Sequence, residues 1–440
     1  MGWKQYIVDP LRWLDALIAD HVGPVRVLFV VSNAIGCAHQ LPLIRALAGR
    51  PGFRVSVAVD HGAPIDHALM AAHFADLPVR FLSPYWAVWR KWHYVFFTDM
   101  MRMHFRRWAT LFLLRHGPCW GNFDRAQTYG EPKKFDEYGD LVVFKNRAAF
   151  SQATSHGALA AFYRRNRDLW AATCHRPVVI GVPKLDAYQP LSAAARRAGL
   201  EKLGLDPSRP TVVVTSHWSA KGVLPVFGAD LIERLLAHPA HCNLIILGHE
   251  KIWQGAIDGS NARAVAMRQR IETLGASTGR IYFALTEVLD NAFFLGLGDA
   301  FICDKSSIFV ECLLFDRPIL FFRNPDFHFK DEGVGAAFIT ASHLFRDLDA
   351  LDGVLETALA GPLQYADRRR RSLAYLLSYQ GHGTARAVDL LERLGRLSGQ
   401  RSVRWDHACV IVDGFNGARQ QPSLPAELRS RIYPVARPRV

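Results

Sequence analysis

Several segments of this 440-residue chain carry residue types suited to handling phosphate. Asp304-Lys-Ser-Ser-Ile-Phe-Val-Glu311 follows an apolar run that ends at Cys303 and opens a helical pattern. Serines at a helix start cap backbone amides. The same geometry aims amides and the positive dipole end at a bound anion, so Asp304, Ser306 and Ser307 read either as a phosphate-binding turn or as an ordinary cap. His116 follows the apolar run Thr110–Leu114 and is fixed by Gly117-Pro118. A strand-end imidazole, with an ordinary pKa near ~6.5, suits general-base work, although a lone histidine is often structural. His217, beside Ser216, follows Val212–Thr215, and His249 follows Ile245–Gly248 in the same manner. Histidines recurring at strand ends favour an anion-handling site. None of them has the close ligand spacing of a metal centre, so no metal and no cofactor is expected. Two softer candidates for acceptor or phosphate contacts remain. Ser32-Asn33 lies in a strand-to-helix loop that lacks both Gly-rich phosphate fingerprints. Lys330 lies with Arg323, His328 and Asp331 in a loop that reads equally as surface.

The elements that must position these residues alternate between strand and helix. Val25–Ser32, Phe53–Val59, Val79–Leu82, Thr110–Leu114, Leu141–Phe144 and Val178–Ile180 are short apolar runs of buried-strand type, with a helical Ala158–Trp170 among them. Asn33–Gln40 reads as a loop and Leu41–Leu47 as a helix. The grammar then repeats with strands at Thr211–Thr215, Asn243–Leu247, Ile281–Leu285, Ala300–Cys303 and Ile319–Phe322, and helices near Phe227–Ala237 and Ser307–Phe315. Such runs predict parallel βα units. The economical architecture is α/β: two doubly wound domains facing a cleft, with ligands beyond the carboxyl ends of the strands. The expected divisions are an N-terminal amphipathic helix over 1–24, a first domain over 25–190, a second over 205–395 and an irregular tail over 396–440. A basic helix is expected from Arg368 to about Leu394.

Composition narrows the class. Half of the residues are apolar and 21% are charged, which excludes a disordered or fibrous chain. The seven cysteines form no CxxC pair and are odd in number, against a disulfide framework or a structural zinc site. No apolar stretch reaches the ~20 residues of a spanning helix, and the N-terminus lacks a signal-peptide pattern, so a cytoplasmic location is expected. The net charge of +13 is uneven: residues 1–200 hold 25 Lys and Arg against 14 Asp and Glu. A basic half points to an anionic partner. In Tyr85–Arg115, Trp, Tyr, Phe and Met interleave with Arg and Lys. That mixture fits a membrane interface with anionic headgroups, an aromatic core with snorkelling arginines, or a single-stranded nucleic acid. The N-terminal helix, with Trp3, Tyr6, Leu11, Trp13, Leu14 and Leu17, fits the same surface. The reading adopted is an anionic membrane surface, met peripherally on the inner face of the cell membrane, and no nucleic acid.

Taken in order, the motifs resemble the CDP-glycerol glycerophosphotransferases, the teichoic-acid primase and polymerase group. The carriers are Leu113-Leu-Arg-His-Gly-Pro118, Ile180-Gly-Val-Pro-Lys-Leu-Asp186, Thr215-Ser-His-Trp218, Leu247-Gly-His249, and Asp304-Lys-Ser-Ser307 through Glu311-Cys-Leu-Leu-Phe-Asp-Arg-Pro318. The resemblance implies a GT-B fold of two Rossmann-like domains, the second binding the donor. It implies transfer of glycerol phosphate, or a related alditol phosphate, from a CDP-linked donor to a hydroxyl of a lipid-linked or polymeric glycan, with release of CMP. By the same resemblance His116 is the base, His249 a second essential histidine, and Ser306 and Ser307 the donor-phosphate turn. Two departures stand out: Pro118-Cys-Trp-Gly-Asn replaces the usual Thr-Pro-Leu-Lys continuation, and Lys305 stands where the family often has Tyr. The same fold grammar also suits a glycosyltransferase or sugar-nucleotide epimerase that uses a UDP- or GDP-sugar.

Overall fold

A computed structural model describes residues 4–63, 65, 67–98, 101, 103, 105, 109–114, 141–144, 176–253, 261–284, 291–327, 329, 332–396, 411–412 and 414–415. The chain divides into two compact units. The first comprises Met1–His116, Asp124–Asp186 and Ser378–Val440; the second comprises Gly117–Phe123 and Ala187–Leu377.

In the first unit, seven strands form one parallel sheet: β1 (Val25–Val31), β2 (Phe53–Val59), β3 (Arg80–Leu82), β4 (Tyr94–Phe97), β5 (Thr110–Leu113), β6 (Leu141–Phe144) and β7 (Arg176–Val179). Their order is β3-β2-β1-β4-β5-β6-β7. The direction of winding therefore reverses between β1 and β4. The central strands are buried, as befits a parallel sheet covered on both faces. Helix α2 (Ala34–Leu47) begins seven residues earlier than its apolar pattern suggested. The Asn33 side chain starts it by accepting the Gly36 amide at 2.6 Å.

Tyr94–Phe97 corrects the sequence reading. The aromatic stretch contains a central strand, not a continuous surface. Trp92, Tyr94, Phe96, Phe97, Met101 and Met103 are all buried, with Phe96 stacked on Phe29 and Phe112. Among the described residues of the stretch, only the preceding helix Pro84–Trp89 keeps large aromatics, Tyr85 and Trp86, at the surface.

The second unit holds β8 (Thr211–Ser216), β9 (Asn243–Gly248), β10 (Ile281–Phe283), β11 (Ala300–Cys303), β12 (Ile319–Phe322) and β13 (His343–Phe345). All pair in parallel, in the order β10-β9-β8-β11-β12-β13. The unbroken Val212-Val-Val214 and Leu244-Ile-Ile246 runs sit in the middle, sealed by Leu231, Ile232 and Leu235 of the helix Ala229–Ala237. Here the winding reverses between β8 and β11, which places the loops after those two strands side by side.

The chain returns to the first unit at Ser378, although the sequence grammar runs on to residue 395 as one domain. The expected basic helix is two helices, Ala366–Leu376 and Gly383–Leu394, parted by a turn in which Tyr379 and Gly381 have positive φ. The Gly-x-Pro-x-x-Asp segment holds this return. The Asp186 carboxylate accepts the Gly383 and Thr384 amides at 2.9 and 2.5 Å and so caps the last helix. Gly181 (φ +84) and Gly383 leave no room for a side chain, since a Cβ would lie 2.7 Å from the Ser378 carbonyl oxygen and 2.8 Å from the Pro183 nitrogen. The Asp-Arg-Pro entry to β12 is likewise structural: Asp316, at φ +47, accepts from the wholly buried Arg369 at 2.8 Å. The Ala158–Trp170 helix and the 416–440 part of the expected tail lie outside the described residues.

Candidate functional site

The loop after β8 and the turn after β11 meet at one carboxylate. Asp304 is 1% exposed. Its Oδ1 accepts the Ser306 amide at 2.9 Å, and its Oδ2 accepts the amides of His217 and Val223, both at 2.9 Å. Ser216 Oγ lies 3.2 Å from Oδ2 and accepts the Leu224 amide at 3.1 Å. Burial raises the Asp304 pKa, and the hydrogen bonds oppose that shift. Asp304 and Ser216, expected among the phosphate contacts, instead hold the backbone of both loops. Gly222 is needed for the closure: a Cβ there would stand 2.2 Å from the His217 carbonyl oxygen and 3.0 Å from Asp304 Oδ2.

This knot presents two imidazoles and two lysines at the carboxyl ends of β8, β9 and β11. The His217 ring nitrogen Nδ1 accepts the Ser219 amide at 3.0 Å, so its neutral form carries the proton on Nε2. His249 is tied alike: Nδ1 accepts the Lys251 amide at 3.2 Å, and its own amide donates to the Ser216 carbonyl at 3.3 Å. Burial drives the His217 pKa down to about 3, and positive charge on Lys305, His249 and Lys251 adds to the shift. The charges that act on this imidazole are thus all cationic, and an anion is what would relieve them. Aromatic rings support the cations. His217 stacks on Trp218 at 5.4 Å, Lys251 Nζ sits 4.8 Å from the Trp218 ring centre, and Lys305 Nζ sits 4.3 Å from that of Phe327.

Ser306 and Ser307 stand beside this group. Ser307 is the N-cap of the helix Ile308–Leu313 by position, but its side chain makes no capping bond. Neither serine hydroxyl has a hydrogen-bond partner among the described residues. The ordinary-cap reading of these serines therefore does not hold, and both remain available to a ligand. Behind the turn, buried Glu311 accepts the Tyr188 hydroxyl at 2.7 Å.

The structure thus gathers Ser216, His217, His249, Asp304, Ser306 and Ser307 in the second unit. Ser32 and Asn33 belong to the first, where Asn33 caps α2 and the buried Ser32 hydroxyl has no hydrogen-bond partner among the described residues. His116 and Lys330 lie outside the described residues. Sequence reasoning missed Lys251, Trp218 and Lys305 as site members. Their signal was position alone, within two residues of a strand-end histidine or aspartate. Among the described residues, no group of three His, Cys, Asp or Glu is placed to hold a metal ion.

Comparison with protein-family models finds no match, and neither does comparison with curated proteins. Solved structures do match. The wall teichoic acid polymerase TagF superposes with a TM-score of 0.57 at 12% identity, over 89% of this chain and 95% of that one. A histidine variant of TagF soaked with CDPG gives 0.54 at 13% identity, over 89% and 94%. A putative UDP-N-acetylglucosamine 2-epimerase from Listeria monocytogenes gives 0.55 at 14% identity, over 84% and 96%. The S. aureus MnaA–UDP co-structure gives 0.52 at 15% identity, over 84% and 96%. At such identities the likeness is one of fold, and it bears out the expected class: the chain carries a GT-B-like α/β fold with two all-parallel sheets.

Proposed function

We propose that the protein transfers glycerol phosphate, or a related alditol phosphate, from a CDP-linked donor to a hydroxyl of a lipid-linked or polymeric glycan, releasing CMP. One observation carries the reading: the Lys251 and Lys305 ammonium groups and the His217 and His249 imidazoles, gathered at the β8/β11 switch point on backbone held by a buried carboxylate and flanked by two unpartnered serine hydroxyls. A diphosphate would meet the Lys251 and Lys305 ammonium groups with opposite charge and accept from the two imidazoles, and the serine hydroxyls supply further donors to its oxygens.

In the proposed step, the acceptor oxygen attacks the phosphorus that bears the alditol. Its bond to that phosphorus forms as the bond from phosphorus to the bridging oxygen breaks, and CMP departs with that electron pair. The acceptor proton passes to His116, the base that the sequence resemblance assigns. His217 and His249 carry protons on Nε2 and so act as hydrogen-bond donors to the phosphate oxygens, not as bases. Positioning and charge neutralisation are the main demands of phosphoryl transfer. Asp304 and Ser216 are positioning residues.

Incubation with CDP-glycerol and a lipid or glycan acceptor is expected to release CMP. His116→Ala and His249→Ala should abolish release while leaving thermal unfolding unchanged, and the Ser306→Ala/Ser307→Ala pair should mainly raise the donor KM. Absence of CMP with every CDP-alditol tried would refute the reading. The second reading, a glycosyltransferase or epimerase using a UDP- or GDP-sugar, draws support from fold likenesses of similar strength to TagF and to the epimerase. Thermal stabilisation by UDP and not by CDP would favour it.

A further inference from the structure

We infer that α1 (Lys4–His21) and the helix Pro84–Trp89 form a face that docks on the surface of an anionic lipid bilayer. The inference concerns the first unit alone and does not depend on what the second unit binds. Helix α1 is turned inside out. A helix on a globular protein ordinarily buries its apolar stripe and exposes its charges. Here Arg12, Asp15 and Asp20 face inward, and among the described side chains of its middle and last turns only Asp9 keeps its charge at the surface, 61% exposed. Asp15 accepts from Arg26 Nη1 at 2.7 Å and from the Lys91 amide at 2.8 Å, Asp20 lies 3.9 Å from Lys91 Nζ, and the Arg12 guanidinium lies 5.9 Å from the Trp89 ring centre. Leu11, Trp13, Leu14, Leu17 and Ile18 face outward, Trp13 being 58% exposed. The inward contacts of Arg12 and Lys91 set the helix Pro84–Trp89 alongside, where Tyr85 and Trp86 are 63% and 51% exposed.

Among the described residues, large exposed apolar side chains elsewhere are few and scattered, so this cluster is not a general property of the described surface. Water alone gives no reason to invert a helix, and an apolar occupant does. Two observations choose the occupant. Trp and Tyr at the rim of an aliphatic stripe match the headgroup level of a bilayer, where an amphipathic ring is wet at one end. Charge is the second. The first unit holds 33 Lys and Arg against 19 Asp and Glu, whereas the second holds 20 against 21. The entire positive excess thus belongs to the unit that bears the apolar face. A second copy docked there would bring two basic units together, whereas anionic headgroups gain from the same charge. No helix among the described residues is long and apolar enough to cross a membrane, so α1 would lie on the surface and not span it.

The test is flotation of the full chain with vesicles of phosphatidylcholine alone or with 30% phosphatidylglycerol (roughly the anionic content that gives a strong surface potential). The expected result is binding to the anionic vesicles that weakens about tenfold or more in the Leu14→Glu/Leu17→Glu pair, and weakens again as salt rises. The exposed positions make misfolding an unsuitable explanation, and an unchanged unfolding midpoint with an unchanged CDP-induced shift would show this directly. Trp13→Ala with Trp86→Ala provides a second, uncharged pair. Failure of the parent chain to float, or equal flotation of the variants, overturns the inference. So does a parent dimer that becomes monomeric in the variants without vesicle binding, which would make the face a self-association surface.

Discussion

Asp304→Asn isolates the carboxylate on which the site depends. Asparagine keeps the shape but has one acceptor oxygen and one amino group. In the parent, Oδ1 serves Ser306, and Oδ2 serves Val223 and His217. Whichever way the amide is turned, its NH2 meets a backbone N–H that it cannot accept. One buried amide is left without a partner, at a cost of about 1–3 kcal/mol. The remaining bonds also lose their charge assistance, roughly half of their strength, while relief of the buried charge offsets part of that loss. A net loss of about 2 kcal/mol corresponds to a fall of roughly 4–8 °C in the unfolding midpoint of a unit this size. The pH dependence gives a second readout. Burial raises this carboxyl's pKa, so the folded state holds its proton more tightly than the unfolded chain does. Its contribution to stability is present at low pH and declines as pH rises from 3.8 through the folded pKa; the asparagine variant should lack that decline. Differential scanning fluorimetry across pH, with and without CDP, measures both. An unchanged midpoint together with a full CDP-induced shift would refute the claim that this carboxylate holds the site.

Two further outcomes follow from the same geometry. Gly222→Ala should destabilise the second unit by about 1–3 kcal/mol and remove CDP binding, because the added Cβ meets backbone at 2.2 Å; Gly353→Ala, with nothing within 4 Å in the helix Leu348–Ala360, should instead stabilise by about 0.5–1 kcal/mol. Chemical denaturation of both variants compares them, and equal effects would count against the packing argument. His217 is held neutral with its pKa down to about 3, so the unfolded chain binds more protons between there and 6.5, and stability should fall as pH drops through that window, by at most about 1.4 kcal/mol per pH unit. A bound diphosphate opposes the cationic influence but not the burial that is its larger cause, so CDP should raise the His217 pKa from its depressed value, seen as a CDP-dependent displacement of its imidazole titration by NMR; a titration that CDP leaves unmoved would count against an anion beside this ring.

What could be read from the sequence follows the range of each interaction. The Asp304 turn was legible because part of it is local: Oδ1 reaches an amide two residues on, the side-chain-to-backbone pattern that marks such turns. The bonds from the same carboxylate to His217 and Val223 span 87 and 81 residues, and no spacing rule announces them. The residue was therefore expected to touch phosphate, whereas it works on the chain. The apolar runs of β8, β9, β11 and β12 announced themselves because buried parallel strands need no polar face. Tyr94–Phe97 did not, because Trp and Arg on either side carry the same aromatic signature into a different environment. Periodicity identified α1 as amphipathic but is silent on which face turns inward. That choice is set by Asp15 and Asp20 pairing with Arg26 and Lys91, which come from β1 and the approach to β4. Lys251 and Lys305 are the sharpest case. A lysine two or three positions past a strand end is ordinary in a surface loop. It acquires meaning only once the reversal between β8 and β11 brings several such loops to one place, so the topology, more than any motif, concentrates the charge on which phosphate recognition would depend.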